Sequence, residues 1–388
     1  MRILYTNFHQ GAGIGGHSIY ILSLAQALAD KHEITLAVPE SSGLFRRAQG
    51  LPNVQVVVQS FPNRPADAWR AAKRLRALLR QRRINVVHVN GSADHRLVML
   101  ARLGMGSKKP AVVFTKHNDQ PISNFSAAVR SWMGTSHVIA VCDFVRRRVA
   151  RSPYRLGGIT AIPNGIDTAH FSQESTLEDA SRRQTRDRLR QTWLANVPTS
   201  NTQTHARTLI LGSQAGTDSY KGWLDLVHAV SKLPAESKAR VVIALAGAWP
   251  SDAQKAEVAA AGMQDQVHFA GPQDDVRPFL AALDAGFVLS WRVETISFAC
   301  REMMSMGLPV MVSDHGGLPE NITSGVDGWI VPERDLVAIG KCVQSMLDNQ
   351  DALQDVGGAA LLRAREQFGL DKFVDATEAV YKQVTPRP

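Results

Sequence analysis

The sequence predicts an α/β protein of two doubly wound domains facing across a cleft. Three observations predict it. Short apolar runs alternate with amphipathic segments along the chain, loops bearing Gly, Asn, His or Lys follow many of those runs, and 388 residues exceed what one hydrophobic core usually covers.

In the first domain, residues 2 to 8 read as a strand, followed by His9-Gln10-Gly11-Ala12-Gly13-Ile14-Gly15-Gly16-His17. Ile19, Leu22, Leu24, Ala25 and Leu28 then mark a helix with one buried face, and Glu33 to Val38 a second strand. Gly11, Gly13 and Gly16 match G-x-G-x-x-G and Glu40 stands beyond them, but the glycines start late after the strand and the acid follows Pro39. The firmer reading is that Gly15 and Gly16 let backbone approach a ligand phosphate at a helix N-terminus. Val54 to Val58 is a strand, and Ala66 to Arg83 a basic amphipathic helix carrying Trp69, which either packs on a sheet with its arginines in water or lies on a membrane surface. Strands at Asn85 to Val89 and Ala111 to Thr115 each end in polar residues, the second in Lys116-His117-Asn118-Asp119. Loops at the carboxyl ends of parallel strands collect ligand contacts, so His117 is a site candidate.

Residues Ser172 to Arg207 are polar and charged, with one helix at Asp187 to Leu194 and then Pro198-Thr199-Ser200-Asn201-Thr202. They read as a linker region, with a second domain starting at Thr208. There the alternation repeats: a strand at Leu209 to Leu211, a loop from Gly212 to Gly222 carrying Lys221, and further strands at Val241 to Gly247, Val267 to Phe269, Phe287 to Leu289 and Val310 to Ser313. After the fourth strand of this domain comes Ser290-Trp291-Arg292-Val293-Glu294-Thr295-Ile296-Ser297-Phe298-Ala299-Cys300-Arg301-Glu302, a loop entering a short helix that Thr295 or Ser297 can cap. That N-terminus is a seat for phosphate. Glu294 precedes the cap and Glu302 lies about five residues inside, a separation of roughly a diphosphate at ~1.5 Å per residue. Carboxylates accept pairs of hydrogen bonds from vicinal diols, so a ligand with a sugar at either end of a diphosphate fits: a nucleotide-sugar.

Composition narrows the class. Hydrophobic residues make up 44% and charged residues 20%, the values of a globular chain, and no apolar run approaches the length that spans a bilayer. Met1 leads straight into a strand, which predicts a cytoplasmic protein. Cys142, Cys300 and Cys342 are odd in number and far apart, which predicts reduced thiols and neither a disulfide framework nor a metal cluster. Residues 1 to 170 hold 23 Lys+Arg and 8 Asp+Glu, or +15, leaving 21 and 27, or −6, for the rest. The basic half suits an anionic membrane surface or is an arginine-rich solvated face. Nucleic acid is not predicted: there is no helix-turn-helix, zinc or RNA-binding signature, and aromatics are 6%.

Taken together, the motifs resemble the GT-B glycosyltransferases of the retaining kind, family 4 or group 1, over nearly the whole chain. The matching pieces are Gly15-Gly16, Thr115-Lys116-His117, Ile162-Pro163-Asn164-Gly165-Ile166-Asp167 with Phe171, Lys221-Gly222, Val267 to Gly271, Glu294 to Glu302, Gly307-Leu308-Pro309-Val310, Gly316 to Glu320 and Asp327 to Pro332. The resemblance implies two Rossmann-like domains: an acceptor-side domain at 1–170, the linker region at 171–207, a nucleotide-sugar domain at 208–365, and a C-terminal helix at 366–388 that packs back on the first. It implies that Gly15 and Gly16 approach the donor, His117 lies near the transferred sugar, Lys221 neutralises the diphosphate, Glu294 holds sugar hydroxyls and Glu302 the ribose. It further implies a lipopolysaccharide- or exopolysaccharide-type transferase that retains anomeric configuration, needs no metal or other cofactor, uses a glycan or lipid-linked acceptor, and works in the cytoplasm or at the membrane face. A sugar-nucleotide epimerase of the same fold is the alternative, and an NAD-dependent oxidoreductase resting on the glycine loop a lesser one.

Three positions depart from the family pattern. Gly212 is followed by Ser213-Gln214-Ala215 where an arginine is usual, so either Lys221 meets the diphosphate alone or Arg292 substitutes. Ser297 replaces a glycine between the two glutamates, and Met303 an alanine after the second. Altered donor fit is the expected consequence.

Overall fold

A computed structural model describes residues 1–195, 197 and 208–385. The chain divides into two compact units, Met1–Gly165 with Leu370–Pro388, and Ile166–Gly369.

The first unit runs β1 (Arg2–Thr6), α1 (Gly16–Leu28), β2 (Glu33–Val38), α2 (Gly43–Ala48), β3 (Val54–Val58), α3 (Pro65–Gln81), β4 (Val86–Val89), α4 (Ser92–Arg102), β5 (Ala111–Lys116), α5 (Asn124–Trp132), β6 (His137–Ala140), α6 (Asp143–Ala150) and β7 (Gly158–Ala161). Its seven strands are parallel, in the order β3-β2-β1-β4-β5-β6-β7. Apolar runs such as Ile34 to Val38 are buried throughout because helices cover both faces of a parallel sheet. The strand order reverses between β1 and β4, which opens a crevice at their carboxyl ends. The basic helix is α3, and most of its apolar side is spent inside the unit: Ala68, Ala71, Ala72, Leu75 and Leu79 are buried, while Trp69 is left 46% exposed. Arg76 and Arg80 donate to the carbonyls of Leu100, Ala101 and Gly104, satisfying the open C-terminal end of α4.

The second unit runs α7 (Gln173–Glu178), α8 (Ala180–Leu194), β8 (Leu209–Ser213), α9 (Trp223–Ser231), α10 (Ala235–Lys238), β9 (Val241–Ala246), α11 (Asp252–Ala260), β10 (Val267–Gly271), α12 (Arg277–Ala281), β11 (Ala285–Val288), α13 (Phe298–Ser305), β12 (Val310–Ser313), β13 (Gly328–Val331), α14 (Leu336–Asp348) and α15 (Ala352–Phe368). Its six parallel strands are ordered β10-β9-β8-β11-β12-β13, with the reversal between β8 and β11. After Gly369 the chain enters α16 (Leu370–Val384), which belongs to the first unit: Phe373, Val374, Val380 and Tyr381 join its core.

The boundaries differ from those expected at one place in particular. Residues 171–194, assigned to a linker region, form α7 and α8 of the second unit. Trp193 is buried with its ring edge-on to Phe279 at 5.5 Å, Val197 is buried beside them, Arg182 pairs with Asp275, and Arg190 pairs with Asp284. The polar composition that suggested a linker is the outer face of α8 and the arginines that tie it down. The stretch Pro198-Thr199-Ser200-Asn201-Thr202 lies outside the described residues. Among the described residues Cys142, Cys300 and Cys342 form no disulfide.

Candidate active site

In the second unit the candidate residues gather at the reversal between β8 and β11. Lys221 sits on a short 3-10 turn, Ser219–Lys221, ended by Gly222 at φ +73°. A Cβ on Gly222 would lie 2.0 Å from the Leu289 carbonyl, so only glycine lets this turn close against the end of β11. The Trp291 N–H donates to the Tyr220 carbonyl at 3.0 Å and fastens the two loops. Lys221 Nζ then reaches Glu294 Oε2 at 2.9 Å, with the side chains only 16% and 11% exposed. Ser290 Oγ donates to the same carboxylate oxygen at 3.2 Å.

Ser297, not Thr295, caps α13, its Oγ accepting from Cys300 N at 3.3 Å. One turn further along, Glu302 accepts from Gln214 Nε2 at 3.1 Å; burial raises the pKa of its carboxyl and the Gln214 hydrogen bond opposes that rise. The helix is anchored from behind. Buried Arg301 donates to Asn321 Oδ1 at 2.8 Å and its guanidinium lies 3.9 Å from the Phe368 ring centroid, while Asn321 donates to the Ile296 carbonyl. Arg292, the suggested substitute cation, is exposed.

In the first unit Gly15 is the N-cap of α1, and Gly15 and Gly16 are exposed in the loop after β1, where a Cβ on Gly15 would meet nothing within 4 Å. Backbone there is open to a ligand. His117 follows β5 and is buried, with Nε2 2.9 Å from Asn90 Oδ1. The Asn90 amide nitrogen donates to the carbonyls of Thr6 and His88, which turns its oxygen to His117 and assigns the proton to Nε2 of a neutral ring. Burial, then the neighbouring His17, His88, His9 and Lys116, hold the His117 pKa well below the usual value. His117 stacks on His17 at 4.1 Å, and His17 Nδ1 is 3.2 Å from His9 Nε2. Asp94 accepts from Thr6 Oγ1 and Asn90 N, each at 2.8 Å, and burial raises its pKa to about 7.

The structure accounts for the three departures. In the stretch after Gly212 that lacks a cation, Ser213 is buried with its Oγ accepting from Ala215 N at 3.2 Å, and Gln214 donates to both the Glu302 carboxylate and the Ala299 carbonyl, so it braces the ribose candidate and the first turn of α13. Nothing in the sequence signalled that partner, which lies 88 positions away. Ser297 has φ +51°, a conformation that favours glycine, and Val293 has φ +50°. Met303 is fully buried, and a Cβ on Gly286 would lie 2.3 Å from its sulfur, so the larger side chain is housed by a glycine in β11. Among the described residues no group of three or more His, Cys, Asp or Glu is placed to hold a metal ion, and no helix is long and apolar enough to cross a membrane.

Comparison with known proteins bears on both units. The profile for Glycosyltransferase Family 4 matches residues 14–170, and that for Glycosyl transferases group 1 matches residues 206–349. The chain is 30% identical over 132 residues to the lipopolysaccharide core biosynthesis mannosyltransferase LpsB of Rhizobium meliloti, covering 34% of this chain and 37% of that one. It is 29% identical over 161 residues to the N-acetyl-alpha-D-glucosaminyl L-malate synthase of Bacillus anthracis, covering 41% and 42%. The matches thus span about two fifths of these curated relatives. The fold is shared end to end: Anabaena HepE, solved in complex with UDP, superposes with a TM-score of 0.80 at 16% identity over 99% of this chain and 100% of its own. A glycosyltransferase from Rickettsia africae gives 0.83 at 19% identity over 99% and 98%. With both profiles in order along it and this fold across its length, the chain belongs to the GT-B glycosyltransferases of family 4.

Proposed function

We propose that the protein transfers a sugar, with retention and without a metal, from a nucleotide-diphosphate donor to a glycan or lipid-linked acceptor of the cell envelope. The observation that carries this reading is the Lys221–Glu294 pair at the mouth of α13, with Glu302 braced inside the same helix. The helix N-terminus and Lys221 meet the diphosphate, and Lys221 stabilises the charge that develops as it leaves. Glu294 takes sugar hydroxyls and Glu302 the ribose diol. Gly15 and Gly16 offer backbone to the donor, and neutral His117 attends the transferred sugar. The anomeric carbon–oxygen bond to the diphosphate breaks, a bond to the acceptor oxygen forms on the same face, and the acceptor proton leaves on the phosphate. The UDP complex of HepE and the mannosyltransferase and polysaccharide-biosynthesis names among the relatives support this donor and acceptor chemistry. None of these names is that of an epimerase. We place the activity in the cytoplasm, at the membrane face, where the basic first unit meets anionic headgroups.

The test is a melting-temperature panel of UDP-, GDP- and ADP-linked sugars and NAD on wild type and Glu302→Ala, since a ligand that binds only the native state raises the melting temperature. One nucleotide-sugar class is expected to raise it, and the variant to lose the rise. A rise with NAD alone that survives Glu302→Ala would return the protein to oxidoreductase chemistry.

A further inference from the structure

Two grooves on the first unit share one cation. The first, about 480 Å³, opens beside the carboxyl ends of β1 and β4, where Phe8, His9 and Gln10 approach Phe61, Asn63 and Arg96. Its aromatic rings with amide and guanidinium donors are the chemistry that grips a sugar ring, apolar face on the ring and hydroxyls on the polar groups. Phe8 is seated for this: it stacks on His9 at 4.3 Å, and a Cβ on Gly91 would come within 2.2 Å of its ring. His9 is bonded to His17, which stacks on His117, so this groove borders the site already described.

The second groove, about 220 Å³, runs between α4 and α5, with Met99 and Leu100 opposite Phe125, Val129 and Met133, and Arg96 lining it as well. On α5 only Ala127 is buried. Phe125, Val129 and Trp132, spaced i, i+4, i+7, share one face, and Phe125 and Trp132 are 80% and 88% exposed. A strip of large apolar side chains left open to water marks an interaction surface. The stretch of chain that carries it is basic: residues 96 to 156 contain 11 Lys+Arg against two acids, Asp119 and Asp143, and Arg96 and Arg130 line the groove itself. Arg96 binds Asn63 Oδ1 at 2.7 Å and the Pro62 carbonyl at 3.5 Å, both through Nη2, on one edge of a fork that matches phosphate on its other edge.

We propose that the acceptor is a lipid-linked saccharide phosphate, with its sugar in the first groove, its phosphate on Arg96 and its hydrocarbon chain along the second groove toward Trp132. This deepens the transferase reading by choosing between its two acceptor classes. It also moves the membrane-facing element from α3, which leaves one large apolar side chain, Trp69, half-exposed, to α5, which exposes Phe125 and Trp132 far more fully.

The experiment is equilibrium binding to the full chain of farnesyl phosphate below its micelle concentration, with farnesol, inorganic phosphate and glucose 1-phosphate as comparators. The variants are Arg96→Ala, Val129→Asp and, on α3, Trp69→Ser. Farnesyl phosphate is expected to bind roughly tenfold or more tighter than farnesol or inorganic phosphate. Arg96→Ala removes the advantage over farnesol, Val129→Asp removes binding of the chain, and Trp69→Ser changes neither. Farnesol binding as well as farnesyl phosphate, with Arg96→Ala silent, would reduce the site to a sticky apolar strip. Inorganic phosphate binding equally, with Val129→Asp silent, would reduce it to an anion site. Either result overturns the proposal. Both groove variants keep the nucleotide-sugar melting shift, so loss of that shift in wild type refutes the donor reading alone.

Discussion

Lys221 is asked to do two things, and one pair of substitutions separates them. Lys221→Met removes the ammonium 2.9 Å from Glu294 while keeping most of the stem. Breaking a fully buried ion pair costs about 3–5 kcal/mol because the surviving charge is stranded. Here the side chains are 16% and 11% exposed and Ser290 still donates to Glu294, which brings the cost to about 2 kcal/mol. In a unit of this size that is a fall of roughly 4–8 °C in melting temperature. Turnover falls further, by about one to three orders of magnitude, the scale of losing one group that stabilises developing charge. Adding Glu294→Gln removes the stranded charge, so the double variant recovers stability in thermal denaturation but not turnover. Wild-type melting of Lys221→Met would show that the pair is not buried together in solution, and a double variant with wild-type turnover would refute the leaving-group role.

Ser297 holds an unfavourable φ and supplies a cap, so its two small replacements are expected to separate. Ser297→Ala keeps the strain and loses the cap, costing about 1 kcal/mol, whereas Ser297→Gly relieves the strain and stays within a few tenths of wild type. Chemical denaturation ranks them, and Gly below Ala would sink the argument. Asp94 has a folded-state pKa of about 7 against 3.8, so the native state binds the extra proton between those values. Its contribution is present below pH 3.8 and is lost as pH rises through about 7. Wild type is therefore expected to lose melting temperature relative to Asp94→Asn across that window, and a difference that is flat with pH contradicts it.

Strands and helices were legible because their signal is periodic and local, as in Ile34 to Val38 or the buried face of α3. Glu294 and Glu302 were legible for the same reason, lying on one loop-helix stretch whose spacing a helix translates directly into distance. What was hidden is tertiary. The arginines of α8 read as linker polarity until Asp275 and Asp284 appear opposite them, with Trp193 the one apolar hint. Arg96 carries no signal of its own, since its place between two grooves depends on α4, α5 and the segment after β3 together.

The missing arginine shows how far a residue-type argument goes before geometry must take over. Of Ser213-Gln214-Ala215, the stretch that lacks the arginine, it is Gln214 that donates to Glu302, at 3.1 Å, and a cation in its place would stand beside that carboxylate. It would neutralise that carboxylate at the same time as it served the diphosphate. Gln214 instead donates one neutral hydrogen bond, which fixes the carboxylate without cancelling its charge and leaves it competent to accept from a diol. The diphosphate then depends on Lys221 and the α13 N-terminus. On the proposed mechanism, this chain concentrates leaving-group stabilisation in one lysine, which is why Lys221→Met is expected to fall toward the deep end of its range and why Gln214→Ala is expected to weaken donor binding more than turnover.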